Sequence, residues 1–388
     1  MLNKEGQREL AYVVEVDNVQ PIEGYDKIRW ATVNGWHCVV GLDINKGDKC
    51  VYFETDSLLD ATNPVFAFCE RYKYRVKVQK YCKGARISEG LLMPLTAFPQ
   101  LAGKNVGDFV TKELNIKYYD PIDNVRKSNG DTNTKRNFKP FYKKLMKFKL
   151  FRMIAKTKVG NNILFALFGV HKKKREYPWF VPKTDEERIQ NIPWILEVDD
   201  TYEITEKVDG CSSTYAVERD KFGKLQFYVC SRNVVLSRDT SAYYSTNYWF
   251  EMWDKYNIEA FLTDYINKNK CKWVYLQGET FGDGVQKRNY SLKGERDFRA
   301  FILCDSNHEQ RFSYSEVKEI LEPYGIPTVP ILETDVTLPK TVDEVMALAK
   351  GNSEIDGQPR EGLVFRSKKN PRTSFKAVDP EFILAFHS

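Results

Sequence analysis

The sequence predicts an α+β protein in which a small β-barrel precedes a larger domain of sheets and helices. The 388 residues include 24 Phe and 22 Tyr, and aromatic side chains of this kind favour β-strands. Short strand-like segments separated by turn residues fill residues 10–114, whereas strands alternate with helical segments from residue 182 onward. We therefore expect a barrel domain over residues 1–114, an insertion or linker over 115–180, and a second domain over 181–388.

The first segment has the strand spacing of an OB-like barrel. Residues 28–33 alternate in polarity, Asn34-Gly35 provides a two-residue hairpin turn, and residues 36–40 continue as a second strand. Another turn, at residues 46–48, precedes an apolar strand at residues 50–53. An OB-type barrel is the preferred interpretation, although a β-sandwich fits the same pattern.

The middle segment is strongly basic. Residues 132–175 contain 14 Lys and Arg and no Asp or Glu, so the remainder of this chain of net charge +6 carries −8. A belt of this kind suits a polyanion, and contact with RNA phosphates is our preferred interpretation. A solvated flexible face and a membrane-surface helix remain alternatives.

Composition also restricts the compartment and the metal chemistry. The eight cysteines form no C-x-x-C pair and the four histidines have no zinc-ligand spacing, which predicts reduced, mostly buried thiols and no structural zinc. The first ten residues are polar and charged, and no apolar run is long enough to span a bilayer. We expect an intracellular soluble monomer, in cytoplasm or nucleus, without stable membrane association.

From residue 182 onward the pattern predicts one domain of strands and helices. A helix is expected to begin at residues 184–187, where a capping residue precedes early acidic residues. Strands are predicted at residues 202–207, 213–218, 225–230, 273–279, 298–304 and 362–366. Helices are predicted at residues 241–268, 314–324 and 342–349.

Chemically informative residues recur at the ends of these strands. Lys207 and Asp209 lie two apart, so on a strand they face one cavity, and Gly210 permits the turn that follows. Alone, a K-x-D-G match is a weak signal. Further charged or aromatic segments follow in order at 231–232, 276–279, 298–301, 361–366 and 374–378.

The order and spacing of these six segments resemble motifs I, Ia, III, IIIa, IV and V of the covalent nucleotidyltransferases. That superfamily comprises RNA ligases, DNA ligases and mRNA capping enzymes. Residues 23–28, 35–36, 46–48 and 88–95 are similar to the N-terminal domain of Deinococcus-type RNA ligases, and residues 182–191 resemble the segment that precedes the lysine in RNA ligases. The resemblance implies an OB domain followed by an adenylation domain of antiparallel sheets with helices, with residues 115–177 as an enlarged insertion.

The resemblance implies an ATP-dependent RNA ligase. Lys207 would attack the α-phosphorus of ATP, AMP would pass to an RNA 5′-phosphate, and a 3′-hydroxyl would then displace AMP. The implied cofactors are ATP and Mg²⁺, with Mn²⁺ as a substitute. The implied partner is RNA, as a nicked duplex with an RNA 3′-hydroxyl end.

The same resemblance assigns roles around the phosphates. Asp209, Glu279 and Glu361 are the candidate metal ligands, with Glu279 alternatively holding the ribose hydroxyls. Arg232 and Lys376 would bind phosphate.

Other residues are assigned to the nucleoside and the leaving group. Glu206 would accept a hydrogen bond from the adenine amino group, and Phe298 would stack on the base, with Phe301 as the competing choice. Arg188 is our hypothesis for the β- and γ-phosphates. Many relatives have Lys-x-Lys in the last motif, whereas this chain has Ser374 at the first of those positions.

Two rival functions stay open. Another polynucleotide ligase or a capping-type enzyme would share the motifs, but only 12 residues follow Lys376, which leaves no room for their C-terminal OB domain. A non-catalytic nucleic-acid-binding protein needs only a barrel and a basic belt. Against it stand the retained residues Lys207, Asp209, Glu279, Glu361 and Lys376, and the Ser374 departure is the only feature in its favour.

Overall fold

The structure is a computed structural model that describes residues 8–119, 176–182, 186–238, 247–308 and 311–387, with six isolated positions between 146 and 164. Residues Met1–Tyr119 and Tyr177–Ser388 form one compact unit. The predicted basic stretch, 132–175, lies outside the described residues apart from those isolated positions. In the described part of the chain, every helix is too short or too polar to traverse a bilayer.

The N-terminal part consists of short strands arranged in small antiparallel sheets. The strands are β1 Ala11–Glu15, β2 Asn18–Ile22, β3 Tyr25–Val33, β4 Trp36–Val40, β5 Lys49–Phe53, β6 Ser57–Leu58, β7 Val78–Tyr81, β8 Arg86–Glu89, β9 Leu91–Pro94 and β10 Lys117–Tyr118. They pair in the orders β1-β5-β9, β2-β3-β4, β7-β8 and β10-β6. Four 3₁₀ helices connect them: Pro64–Tyr72, Cys82–Gly84, Leu95–Ala97 and Pro99–Leu101.

The predicted hairpin between β3 and β4 is present. Val33 pairs with Trp36, so the loop holds two residues. Asn34 and Gly35 have φ values of 51° and 80°, as a turn that matches the strand twist requires. Trp36, Cys38 and Val40 point inward from β4 into a buried apolar cluster, which is the alternation that the sequence predicts.

The second part contains the remaining strands and the five described α-helices. The strands are β11 Glu187–Arg188, β12 Thr201–Lys207, β13 Cys211–Arg219, β14 Leu225–Cys230, β15 Trp273–Gly282, β16 Arg296–Asp305, β17 Ile331–Thr337, β18 Gly362–Ser367 and β19 Ser374–Val378. The helices are α1 Tyr248–Lys255, α2 Ile258–Lys268, α3 Tyr314–Leu321, α4 Val342–Ala349 and α5 Pro380–Phe386, with 3₁₀ turns at Ile189–Asn191, Pro193–Glu197 and Glu322–Tyr324.

Two sheets organise this second part. One has the order β11-β19-β18-β12-β17 and the other the order β14-β13-β15-β16. Helices α1 and α2 cover one face of the four-stranded sheet, burying Trp249 and Phe261 against Leu276. Helix α4 covers one face of the five-stranded sheet through Val345. The opposite face of the four-stranded sheet is buried by Phe180 and Val181 against Tyr275 and Ile302.

Two predicted helices differ from the structure. The helix predicted over residues 241–268 is two helices, because Asn257 adopts a left-handed conformation with φ 48° between α1 and α2. The helix predicted to begin at residues 184–187 is wrong at its described end, since Glu187 and Arg188 form β11 beside β19. Pairing with an existing strand edge outweighs the local helix-start signal there.

A buried polar cluster joins the barrel to the second part. The side-chain amide of Asn191 donates to Glu54 Oε1 at 3.0 Å and to Glu187 Oε2 at 2.9 Å. Its carbonyl oxygen accepts from the Tyr12 hydroxyl at 3.0 Å and from Trp36 Nε1 at 3.3 Å. One side chain of the second part thus satisfies three side chains of the barrel.

Candidate active site

The predicted nucleophile lies at the end of a central strand. Lys207 is the last residue of β12 and pairs with Gly362 of β18. Two residues earlier, Thr205 occupies the same face and aligns with Val364, Lys376 and Arg188 across β18, β19 and β11. The register therefore puts Lys207, Lys376 and Arg188, three of the four predicted cations, on one face of the sheet.

Carboxylates surround the Lys207 ammonium. Its Nζ lies 2.7 Å from Glu361 Oε2, and a quarter of the lysine side chain is exposed. Burial lowers the pKa of Lys207, but Glu361, Glu279 and Asp209 together raise that pKa above its usual value. Without a ligand, the lysine is thus held in its protonated form.

Glu279 carries the largest resolved perturbation among the predicted metal ligands. Burial raises its pKa to about 8, opposed by Lys207 and Arg232 and assisted by Glu361 and Asp209. Without a ligand, the charged form of Glu279 is therefore disfavoured, and a bound cation would favour it.

Asp209 is buried and fixed from two sides. Its main-chain N–H donates to the Tyr290 hydroxyl at 2.6 Å. Its Oδ1 lies 3.0 Å from Nε2 of His387. Its Oδ2 is buried and has no hydrogen-bond partner among the described residues.

Gly210 has a different role from the predicted one. A Cβ at this position would lie 2.3 Å from the main-chain oxygen of Thr280 and 3.0 Å from Cγ of Glu279. The glycine therefore allows β13 to start directly against β15, which brings Glu279 beside Lys207. Close backbone approach, and not a turn conformation, is what excludes a side chain here.

Glu206 is held by the loop at residues 353–360. Its Oε2 accepts from the main-chain N–H of Glu354 at 2.9 Å, and its Oε1 is buried without a partner among the described residues. Burial raises the pKa of Glu206, and the hydrogen bond from Ser353 opposes that rise. An unused buried acceptor of this kind can receive an amino group.

The two aromatic candidates lie on different sides of β16. Phe298 is fully buried in the core beneath α1 and α2, where its Cζ would be 2.3 Å from a Cβ on Gly278. Phe301 is partly exposed and packs beside Val208 and Val364. Strand alternation places residues 298 and 301 on opposite faces. A β-bulge also occurs at Phe301: Ala300 pairs with Gly278 and residue 302 with Gln277, so Phe301 has no partner in β15.

Two other predicted phosphate-binding residues, Arg232 and Arg188, differ in their surroundings. Arg232 is exposed and close enough to Glu279 to lower that residue's pKa. The Arg188 guanidinium lies over the Trp36 ring, 5.4 Å from its centroid, and opposes the rise that burial causes in the pKa of Glu89. Arg188 is thus oriented by the barrel.

Ser374 donates its hydroxyl hydrogen to the Glu186 carboxylate. Arg311 Nη1 lies 3.5 Å from the other oxygen of Glu186. The neighbourhood of the missing lysine therefore retains a cation, supplied by a different segment.

Sequence reasoning missed His387 and Tyr290. Neither belongs to one of the six motifs, and no local signal marks them. Both reach Asp209 only through the tertiary fold.

Residues 200–378 match the family model for RNA ligases, and residues 10–95 match a model for an OB-fold domain. No curated protein matches the chain. Solved structures of Naegleria gruberi RNA ligase also match this chain. One of them is a lysine-to-alanine mutant with ATP and Mn, at 26% sequence identity and a TM-score of 0.71; the match covers 97% of this chain and 98% of that one. The same protein with PPi matches at 26% identity and a TM-score of 0.73, covering 98% and 99%. A lysine-to-methionine mutant with AMP and Mn matches at 26% identity and 0.73, covering 97% and 99%. The predicted fold class and family resemblance are confirmed.

Proposed function

The chain carries an RNA ligase domain behind an OB-fold domain and is an enzyme of the ATP-dependent RNA ligase class; from this premise we propose that it joins RNA 3′-hydroxyl and 5′-phosphate ends through a lysyl-adenylate on Lys207. The observation that carries the proposal is the position of Lys207. Its Nζ lies at the end of β12, hydrogen-bonded to Glu361 and beside Glu279 and Asp209. We assign residues 1–114 to the OB domain, 115–180 to an insertion and 181–388 to the adenylation domain.

The reaction proceeds in three transfers. The Lys207 ammonium gives up a proton, its neutral Nζ forms a P–N bond to the α-phosphorus of ATP as the P–O bond to pyrophosphate breaks, and the nitrogen then loses a second proton. An oxygen of the RNA 5′-phosphate attacks the same phosphorus, the P–N bond breaks, and Nζ takes up protons to return as the ammonium. Finally the 3′-hydroxyl loses its proton and attacks the RNA 5′-phosphorus, the phosphodiester forms, and AMP leaves.

The carboxylates around Lys207 fit a divalent cation shared with the nucleotide. In the described part of the chain, no group of three or more His, Cys, Asp or Glu side chains is arranged as a ready-made metal cluster. Asp209 nevertheless has a buried oxygen without a partner there, and Glu361 and Glu279 flank the same lysine. Mg²⁺ characteristically binds one or two carboxylates together with water and substrate phosphates.

The cofactors are ATP and a divalent metal ion, as the sequence predicts; neighbouring structures contain ATP and Mn or AMP and Mn. Asp209, Glu279 and Glu361 would hold the cation. When bound, it neutralises charge on the phosphates and weakens the hold of the carboxylates on the Lys207 proton.

The remaining residues position the nucleotide. Glu206 offers its unused Oε1 to the adenine amino group, and Phe301, which is partly exposed, replaces the core residue Phe298 as the base-stacking candidate. Arg232 and Lys376 bind phosphate. Arg188 lies on the same sheet face as Lys376 and is assigned to the departing phosphates.

A basic hairpin in the barrel supports RNA as the partner. Residues 71–86, which include β7 and β8 and are here termed the basic hairpin, contain seven Lys and Arg and no Asp or Glu. Tyr72, Tyr74 and Tyr81 are interleaved with these cations and are partly exposed. Helix α5 packs on both strands and ends at the active site, so the hairpin lies beside the reacting ends. We propose that it tracks one strand of a nicked duplex bound by a monomer.

Labelled ATP tests the central claim. The native protein with Mg²⁺ should acquire a covalent AMP adduct, and Lys207→Ala should abolish it. Lys268→Ala, a substitution of an exposed lysine at the end of α2, is the matched control and should label normally. A folded native protein that forms no adduct would leave the non-catalytic nucleic-acid-binding alternative.

A further inference from the structure

We propose that His387 is a positioning residue that holds one oxygen of Asp209 so that the other is directed at the cation–phosphate complex. The inference rests on the proposed function, and it adds a residue that no sequence motif includes. Its basis is the 3.0 Å contact between His387 Nε2 and Asp209 Oδ1.

The histidine is placed by a short, well-anchored helix. Asp379 caps α5 by accepting from the Glu381 main-chain N–H at 3.0 Å, and Pro380 occupies the first turn. The buried Phe382 packs on Phe386, with ring centroids 4.6 Å apart. The helix therefore fixes the position at which its last turn ends.

The end of the helix determines the direction of the imidazole. The main-chain N–H of His387 donates to the Ile383 carbonyl at 2.8 Å, and its ring packs 6.0 Å from the Phe382 ring. Two-thirds of the His387 side chain is shielded from solvent. The ring is thus constrained on its apolar side and directs Nε2 at the carboxylate.

In the contact between His387 and Asp209, the histidine is the hydrogen-bond donor. An ionised carboxylate accepts hydrogen bonds and cannot donate them, so Nε2 must carry the hydrogen. Tyr290 accepts from the main-chain N–H of Asp209 at 2.6 Å. Main chain and Oδ1 are both fixed, while Oδ2 stays buried without a partner among the described residues.

Carboxylates that ligate metals are normally held by such outer hydrogen bonds, and losing one weakens metal affinity about 10- to 100-fold. In the opposite arrangement, His387 would compete with the cation by occupying an oxygen that the cation needs. The two arrangements predict opposite effects of removing His387: loss of a positioning residue weakens cation binding, whereas loss of a competing residue strengthens it.

The test measures binding of Mn²⁺ to the full chain by the electron paramagnetic resonance signal of the free ion, with a non-cleavable ATP analogue present. His387→Ala should raise the dissociation constant at least about tenfold. His387→Gln, whose amide can donate from a similar reach, should recover most of the affinity. The control is His308→Ala, which removes another His–Asp contact, of 2.8 Å, and should not change Mn²⁺ binding.

Thermal unfolding of each variant separates folding from binding. Unchanged or tighter Mn²⁺ binding in His387→Ala, or no recovery in a folded His387→Gln, would overturn the inference. Adduct formation on Lys207 is scored in parallel. If the native chain forms the adduct while His387→Ala binds Mn²⁺ normally, the inference about His387 fails and the proposed function stands. If the native chain neither forms the adduct nor binds Mn²⁺, both proposals fail.

Discussion

Asn191 donates its side-chain amide to Glu54 at 3.0 Å, and both side chains are buried between the barrel and the adenylation domain. Asn191 also accepts from Tyr12 and Trp36. Trp36 in turn packs against the guanidinium of Arg188. Barrel docking and the orientation of a proposed phosphate-binding residue therefore depend on one amide.

Asn191→Ala should destabilise the protein. The substitution removes one hydrogen-bond partner each from Glu54, Tyr12 and Trp36, and a buried polar group left unsatisfied costs about 1–3 kcal/mol. We expect the free energy of unfolding, measured by urea titration, to fall by about 3 kcal/mol. Asn45→Ala, at an exposed loop position, is the control. A loss below about 0.5 kcal/mol would show that water replaces the amide at little cost.

Glu361→Gln should slow formation of the lysyl-adenylate. The substitution removes the charge that faces Lys207 at 2.7 Å and a proposed cation ligand. Single electrostatic contributions of this kind are worth about 100-fold or more in rate, which rapid-quench labelling can measure. Glu354→Gln changes a carboxylate in the nearby loop but keeps the main-chain N–H that donates to Glu206, so it should label at the native rate. Equal rates for the two variants would remove Glu361 from the mechanism.

Substitutions of Phe298 and Phe301 should have their effects in different assays. Phe301→Leu should raise the KM for ATP with little change in stability, because the ring is partly exposed beside the site. Phe298→Leu should lower the free energy of unfolding by about 1–3 kcal/mol, because the ring fills the core beneath α1 and α2. The reverse pattern would restore Phe298 as the base-stacking residue.

Charge reversal in the basic hairpin should separate RNA sealing from adenylylation. Replacing Lys73, Lys80 and Lys83 by Glu should weaken binding to a nicked duplex and reduce its salt dependence. Lysyl-adenylate formation should stay native, since these exposed side chains are not part of the nucleotide site. The matched control reverses three exposed barrel lysines outside the hairpin, Lys46, Lys49 and Lys112. Equal loss in both triple variants would point to net charge and not to this surface.

Stability should decrease as pH rises through neutrality because of Glu89. Burial raises the pKa of this carboxyl to about 7, while Arg188 opposes the rise. Asp379 and Asp343 add to it. The folded state therefore holds a proton that the unfolded state has lost, so the contribution is complete below pH 4.5 and is lost as pH approaches 7.

The size of the Glu89 contribution follows from the shift and is about 3 kcal/mol. Urea unfolding of native protein and Glu89→Gln between pH 5 and 8 measures it, and the difference between the two curves should change by roughly this amount. Parallel curves would mean that Glu89 ionises normally.

The sequence predicts β12, β13, β14, β15, β16 and β18 because each is rich in β-branched or aromatic residues, but it does not predict β17 or β19. It fails where tertiary pairing decides the outcome. Glu187 and Arg188 become a strand only because the edge of β19 is available. His387 reaches Asp209 across 178 residues, a distance over which periodicity carries no information.

The bulge at Phe301 changes which residues of β16 face the helix-covered core, from even-numbered before it to odd-numbered after it. On one side of it, residues 298 and 300 serve the helix-covered core; on the other, residue 303 serves that core instead. Removing residue 301 would make Ala300 and Ile302 adjacent opposite Gly278 and Gln277, so the side chains that follow would keep their present faces. A deletion of one residue well away from the bulge would instead exchange the core face and the opposite face for the rest of the strand, so chain length is more restricted elsewhere in β16 than at its bulge.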